Sequence, residues 1–232
     1  MNHGTATFWE RIRLQIDLPA PISLSNSVHV DLGAGKNPRN PFRASQLIAV
    51  DYSNESSRSK DGVEFRGCDL TRRLPFEDNS IDSCSAFDLL EHIPRWERVD
   101  GRIEFPFINL ISEISRILKP DGKFMAVTPA YPSPAAFQDP THINFISTET
   151  INYFVGENPH AKSIGYGFKG NFKLLFQGWM RGPGVFSETA LFEHCNFTSR
   201  SGLASYARLA RRTISLCSTK NPTHLIWILE KL

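Results

Sequence analysis

Val28-His29-Val30-Asp31-Leu32-Gly33-Ala34-Gly35-Lys36-Asn37-Pro38 reads as a short apolar strand that closes on an acid and runs into a glycine turn. A second apolar run, Leu47-Ile48-Ala49-Val50, ends in Asp51, twenty positions after Asp31. That is the spacing of a nucleoside-binding βαβ unit. The glycines let the backbone approach a ligand closely, and the second acid reaches the ribose hydroxyls.

Working outward, Val63-Glu64-Phe65-Arg66 reads as a third strand closing on Gly67-Cys68-Asp69-Leu70, and Ile81 to Phe87 as a fourth after the turn-rich Leu74–Ser80. From Ile103 to Leu118 the apolar positions Phe107, Leu110, Ile111, Ile114 and Leu118 share one helical face. The helix is expected to stop at Lys119-Pro120-Asp121-Gly122, before a fifth strand from Lys123 to Thr128. Pro38 and Pro41 leave room for only a short or distorted helix between the first two strands. Upstream, Phe8, Trp9, Ile12 and Ile16 predict a helix over 8–18, part of an N-terminal helical cap at 1–26. Downstream, 129–147 is rich in Pro, Ser and aromatic residues and predicts a long functional loop. Phe172–Trp179 and Leu225–Leu229 are the expected last two strands, with 181–222 an insertion between them. Strands alternating with helices argue for an α/β fold whose mostly parallel sheet is covered on both faces.

Bulk properties agree with one domain over 1–232, divided into a cofactor-binding half at 27–128 and a substrate-side half at 129–232. A net charge of +2 demands no nucleic acid or membrane partner. From Ser199 to Leu232, however, six Lys or Arg stand against one acid, so peripheral contact with an anionic surface is open there. A solvated helix face carrying Arg208, Arg211 and Arg212 is the plainer reading of that stretch. The cysteines at 68, 84, 195 and 217 have no CxxC spacing and are expected to be reduced thiols, and no metal is assigned. The N-terminus lacks the apolar core of a signal peptide, and no run approaches a membrane span. A cytoplasmic protein is expected.

The ordered set resembles the class I S-adenosylmethionine-dependent methyltransferases, particularly the small bacterial type with a VDLGAG loop. Beyond that loop it is carried by IAVDYS at 48–53, GCDLTRRLPFEDNSID at 67–82, AFDLLEHI at 86–93 and LKPDGKF at 118–124. The resemblance implies a Rossmann-like sheet of seven strands with an antiparallel last strand, and S-adenosyl-L-methionine as cofactor. It implies that Gly33, Ala34 and Gly35 turn beneath the methionine part and that Asp31 orients its amino group. Asp51 would take the ribose hydroxyls, and Asp69, with the backbone at Leu70, would face the adenine amino group. Asp88 would border the methionine end. Tyr52, Cys68, Phe87 and His92 complete the expected lining, with Glu91-His92 near the pocket mouth. The chain departs from the pattern where Asn37, followed by Pro38, stands for the third glycine. A donor without a phosphate needs no anion site there, so the departure argues against a dinucleotide.

Gln138-Asp139-Pro140-Thr141-His142-Ile143-Asn144-Phe145 follows the fifth strand, at the carboxyl edge where open α/β sheets bind a second ligand. Asp139 and His142 could serve to deprotonate a hydroxyl, with His92 as the other candidate base and Asp139 as orienter. Alternatively Asp139 caps a turn and His142 hydrogen-bonds backbone to close the loop. Tyr131, Phe137, Phe145 and Trp179 are candidates for an acceptor platform, or for core. Similar DPTH-type loops occur in methyltransferases acting on sugars and surface glycans, which makes O-methylation of a saccharide hydroxyl in glycan biosynthesis the leading expectation. N- or C-methylation of a small metabolite and a non-catalytic cofactor-binding module are the alternatives.

Overall fold

The computed structural model describes residues 26–52, 58–60, 62–180, 191–192 and 222–232. The helix expected at 8–18, the insertion expected at 181–222 with its arginines, and Cys195 and Cys217 lie essentially outside those residues.

The sheet is built from β1 (Val28–Leu32), β2 (Gln46–Asp51), β3 (Arg58–Lys60), β4 (Val63–Gly67), β5 (Ile81–Phe87), β8 (Leu118–Pro129), β9 (Phe172–Met180), β10 (Leu191–Phe192) and β11 (His224–Lys231). A separate hairpin pairs β6 (Glu97–Val99) with β7 (Arg102–Glu104). Spatial order across the sheet is β10-β9-β11-β8-β5-β1-β2-β4-β3. The central run β8-β5-β1-β2-β4 is parallel, and β11 lies antiparallel between β8 and β9. Seven strands with an antiparallel last one are therefore present as expected, and the short antiparallel β3 and β10 extend the two edges.

Both faces are apolar because the pleat sends neighbouring residues to opposite sides. On one face Phe124, Ala126, Leu225 and Trp227 join Val30, Leu32, Ile48 and Val50 in the main core, and on the other Met125, Val127, Ile226 and Ile228 pack with Phe87 and Phe176. Helix α1 (Pro106–Ile117) covers the first face with Phe107, Leu110, Ile111, Ile114 and Ile117, all buried. Each such side chain contributes roughly 1.5–3 kcal/mol by leaving water. The only other α-helix among the described residues is the single turn α2 (His160–Ser163).

Three local expectations are corrected. The helix begins at Pro106, not Ile103: proline suits the first helical position, where its missing N–H is not needed, and Ile103 pairs with Arg98 in the hairpin. Chain passes from α1 straight into β8 at Leu118, and Asp121, at φ 62°, takes the left-handed turn expected near the glycine. Between β1 and β2 the described residues hold turns and no helix, as two prolines in that stretch would favour.

Arg116 fastens the Leu74–Ser80 turn to α1. Its guanidinium donates to Glu113 Oε2 (2.6 Å), Asp78 Oδ1 (2.7 Å) and the carbonyls of Phe76 (2.7 Å) and Leu74 (3.0 Å). This clasp gives Asp78 of the PFED stretch a structural role.

Candidate functional site

The parallel run ends four adjacent strands at one edge. In register, Asp51 lies beside Gly67, Leu32 beside Val50, and Leu32 beside Ala86. With strands about 4.8 Å apart, four of them span about 14 Å, the scale of a nucleoside with a side arm. The residues after β1, β2, β4 and β5 therefore share one edge.

Gly33 and Gly35 both adopt left-handed backbone, at φ 66° and 55°. At Gly33 a side chain would also meet Leu89 at 2.9 Å, whereas nothing lies within 4 Å of the corresponding point at Gly35. The turn is tied to β2 by Ala34 N–H donating to Val50 O (3.1 Å) and Gly35 N–H donating to Asp51 Oδ2 (3.0 Å). Asp51 thus holds the glycine turn and stands at the edge, half-buried, beside Tyr52, which is 81% exposed. Cys68 N–H donates to Asp51 O (3.1 Å), which draws the β4 loop against the end of β2. Asp69 Oδ1 accepts from the amide (2.9 Å) and hydroxyl (2.7 Å) of Thr71, which depress its pKa and fix the loop. Leu70 is buried in the main core.

Asp31 is buried at the end of β1, its Oδ1 accepting from Ser85 Oγ (2.6 Å) and its Oδ2 from Arg39 N–H (2.8 Å). Burial raises its pKa to about 6, against those hydrogen bonds. Phe87 is buried in the second core cluster with the Arg39 guanidinium 4.6 Å over its ring, so its side chain is core. Asp88 follows at φ 48°, half-exposed, with His224 Nε2 3.1 Å from its Oδ1.

The second half of the edge is made by the 3-10 turn Leu90–His92 and the loop 131–145. Asn144 pins them together: its Nδ2 donates to Leu90 O (3.0 Å), its Oδ1 accepts from Arg95 Nε (2.8 Å), and Arg95 also reaches Phe145 O. The amides of Ile143 and Asn144 both donate to Glu91 O (2.9 Å each). Glu91 itself is buried, and its Oε2 accepts from Thr128 Oγ1 (2.9 Å) at the end of β8. Burial pushes its pKa up to about 7.

Asp139 does not touch His142 by its side chain. Its Oδ1 accepts from the amide (2.8 Å) and hydroxyl (2.7 Å) of Thr141, the turn-capping arrangement, and these donors hold its pKa down. Because the Thr141 hydroxyl proton is spent on Asp139, Thr141 Oγ1 accepts from His92 Nδ1, 3.0 Å away. Asp139 therefore orients His92 through Thr141. His142 Nδ1 bonds Ala136 O (3.2 Å), closing the loop, and the two imidazoles meet edge to face at 4.9 Å between centroids. Thr141, Asn144, Arg95 and Thr128 were not foreseen as site-building residues; a hydroxyl two positions after an aspartate is the one local signal that could have found Thr141.

The loop that carries His142 also exposes three aromatic rings, Phe137 meeting the other two. Tyr131 and Phe137 lie 6.5 Å apart and Phe137 and Phe145 4.9 Å apart, and each is more than 40% exposed. Trp179, by contrast, is buried in the main core and belongs to no such platform.

Residues 30–126 match the family model for a methyltransferase domain. No curated protein matches the chain. Among solved structures, a SAM dependent methyltransferase from Archaeoglobus fulgidus is 16% identical, with a TM-score of 0.50 over 96% of this chain and 92% of that one. An S-adenosylmethionine dependent methyltransferase from Mesorhizobium loti is 16% identical, with a TM-score of 0.49 over 97% of this chain and 98% of that one. A geranyl diphosphate C-methyltransferase from Streptomyces coelicolor A3(2) is 14% identical, with a TM-score of 0.45 over 97% of this chain and 78% of that one. At such identities likeness speaks to fold alone. The likeness to the Archaeoglobus fulgidus structure agrees with the class I methyltransferase fold of the sheet described above. No helix among the described residues is long and apolar enough to cross a membrane.

Proposed function

We propose, on the premise that residues 30–126 form a class I methyltransferase domain, that the chain methylates a hydroxyl of a sugar or glycan. The observation that carries the acceptor class is the exposed aromatic face of Tyr131, Phe137 and Phe145 on the same loop as His142 of the His92–His142 pair. Saccharides stack on aromatic faces, and a hydroxyl acceptor needs a group to receive its proton.

The cofactor edge fits the donor. Gly35 leaves open space over the turn, Asp51 offers a carboxylate for the ribose hydroxyls, and Asp69 and the Leu70 backbone stand at the adenine end. When bound, S-adenosyl-L-methionine supplies a methyl group on a sulfonium. The residues of this chain then have mainly to hold acceptor and donor in line, which is worth up to roughly 7–11 kcal/mol. The aromatic face holds the ring of the acceptor. His92, with Nδ1–H committed to Thr141, presents a bare Nε2 toward which an acceptor proton can move, and Asp139 stabilises the charge that develops.

The test is turnover with labelled donor against a panel of sugar nucleotides, small amines and activated methylenes. Transfer to sugar hydroxyls that falls at least tenfold in Phe137→Ala supports the reading. Transfer only to nitrogen or carbon acceptors would overturn it in favour of the metabolite alternative.

A further inference from the structure

The Leu90–His92 turn and the DPTH loop bring Glu91, His92 and His142 together, with one carboxylate oxygen and one nitrogen from each ring all within 4.8 Å of one another. The hydrogen bonds around them settle what these groups can offer. His142 Nδ1 faces the Ala136 carbonyl, which only accepts, so Nδ1 carries the proton and Nε2 keeps its lone pair. His92 Nδ1 faces the Thr141 carbonyl (3.3 Å) and a hydroxyl already donating to Asp139, so its Nε2 is bare as well. Glu91 Oε2 is satisfied by Thr128, but Oε1 is buried with no hydrogen-bond partner among the described residues. Each of the three clustered residues thus keeps an electron-pair donor that no N–H or O–H of the described residues meets, an arrangement that costs free energy until a positive charge sits among them.

We propose that Glu91, His92 and His142 form a binding site for one divalent transition-metal ion. Two imidazoles and one carboxylate favour Zn2+, Co2+ or Fe2+ over Mg2+ or Ca2+, which prefer all-oxygen sites. Tetrahedral ligands about 2.1 Å from an ion stand about 3.4 Å apart, so the donors need move inward by about an ångström at most. The outer shell is already built: Ala136 O and Thr141 fix the tautomers of the two rings, Asp139 backs Thr141, and Thr128 orients the carboxylate. Three protein ligands leave a coordination position open, as in catalytic rather than structural sites. The loop that carries His142 also carries Phe137 and Phe145, the aromatic residues assigned above to the acceptor. Resting on the methyltransferase reading, the ion takes over the proton-accepting role that His92 Nε2 has in its absence: it binds the acceptor oxygen and lowers its pKa, and the proton leaves to water while the two rings stay ligands.

The full-length chain, stripped with EDTA and desalted, is titrated with Co2+ while visible absorption is recorded, and Zn2+ is then added in competition. One saturating equivalent, displaced by Zn2+ and weakened at least tenfold by His142→Ala and by the isosteric Glu91→Gln, is the expected result. No visible band in the parent chain, or titrations unchanged in both variants, would overturn the site. His142→Ala is expected to melt in one cooperative transition, lowered only by loss of the bond to Ala136 O, and to bind S-adenosylhomocysteine as the parent does, which separates ligand loss from misfolding. If Co2+ binds as described but S-adenosylhomocysteine does not bind the parent, the ion site stands and the methyltransferase reading fails.

Discussion

Ser85 Oγ donates to Asp31 Oδ1 at 2.6 Å, so it has only lone pairs left for His29 Nε2 at 2.8 Å. That single bond sets the direction of a buried chain. His29 Nε2 must carry the proton, and its bare Nδ1 accepts from Ser83 Oγ, also 2.8 Å away. The chain links β1 to β5 beneath the glycine turn and holds Asp31 where Arg39 N–H can reach its other oxygen.

The two ends of this chain titrate against each other. Burial drives His29 down to about 3 from 6.5, so the unfolded chain takes up a proton below pH 6.5 that the folded chain refuses, and stability falls with acid. Burial drives Asp31 up to about 6 from 3.8, so between those values the folded chain keeps a proton that the unfolded one releases, and acid favours folding. Between about pH 6 and 4 the two therefore oppose each other, and Asp31→Asn, which removes the compensating group, should make urea-melt stability fall with acid more steeply than in the parent, by about 1.4 kcal/mol per pH unit. Equal slopes would contradict the assignment.

Gly33 and Gly35 should respond differently to alanine. At Gly33 the left-handed backbone and the Leu89 contact at 2.9 Å act together, so Gly33→Ala should destabilise by about 2 kcal/mol in chemical denaturation. At Gly35 only the backbone strain applies, about 1 kcal/mol, and the methyl projects into open space. Its main effect should be weaker S-adenosylhomocysteine binding. The reverse ranking would remove the glycine turn from the donor's path.

Arg116→Ala strips five hydrogen bonds, three from α1 to the Leu74–Ser80 turn and two to Glu113, and leaves half-buried Glu113 with only the Leu74 amide. A loss of about 2–3 kcal/mol is expected from thermal or urea unfolding, after discounting for the exposed Asp78. A change under about 0.5 kcal/mol would show the turn to be held otherwise.

Much of the cofactor edge was legible because it is local. Alternation in 28–32, 46–51 and 81–87 sets which residues face the core, and Asp31, Asp51 and Asp69 follow their strands in the chain itself. The acceptor side was legible only as ingredients. Nothing in the spacing of Glu91 and Thr128, or of Arg95 and Asn144, tells that they meet, since those contacts depend on where β8 lies beside β5. For the same reason Asp139 looked like the partner of its sequence neighbour His142, whereas the fold carries His92 to it by way of Thr141. The hairpin at 97–104 was not foreseen, and its last residues, from Ile103, were assigned to the helix, because three-residue strands are too short for a two-residue period to show.

The Thr141 link should be separable from binding. Thr141→Val breaks the path from Asp139 to His92 and should lower kcat about tenfold on a responsive acceptor, with KM for the donor unchanged. Thr141→Ser should restore it, and a valine variant with parent kcat would place the link outside the reaction.

The central claim is that the edge formed by Gly35, Asp51 and Asp69 holds S-adenosyl-L-methionine. Calorimetric titration of the chain with S-adenosylhomocysteine tests it most directly, with Asp51→Asn as the control that keeps an acceptor for Gly35 N–H but removes the charge. Saturable one-to-one binding, weakened about tenfold or more by the substitution, is the predicted result, since a charged hydrogen bond contributes about 1.5–3 kcal/mol. No binding at millimolar ligand, or equal affinity in both proteins, would contradict it.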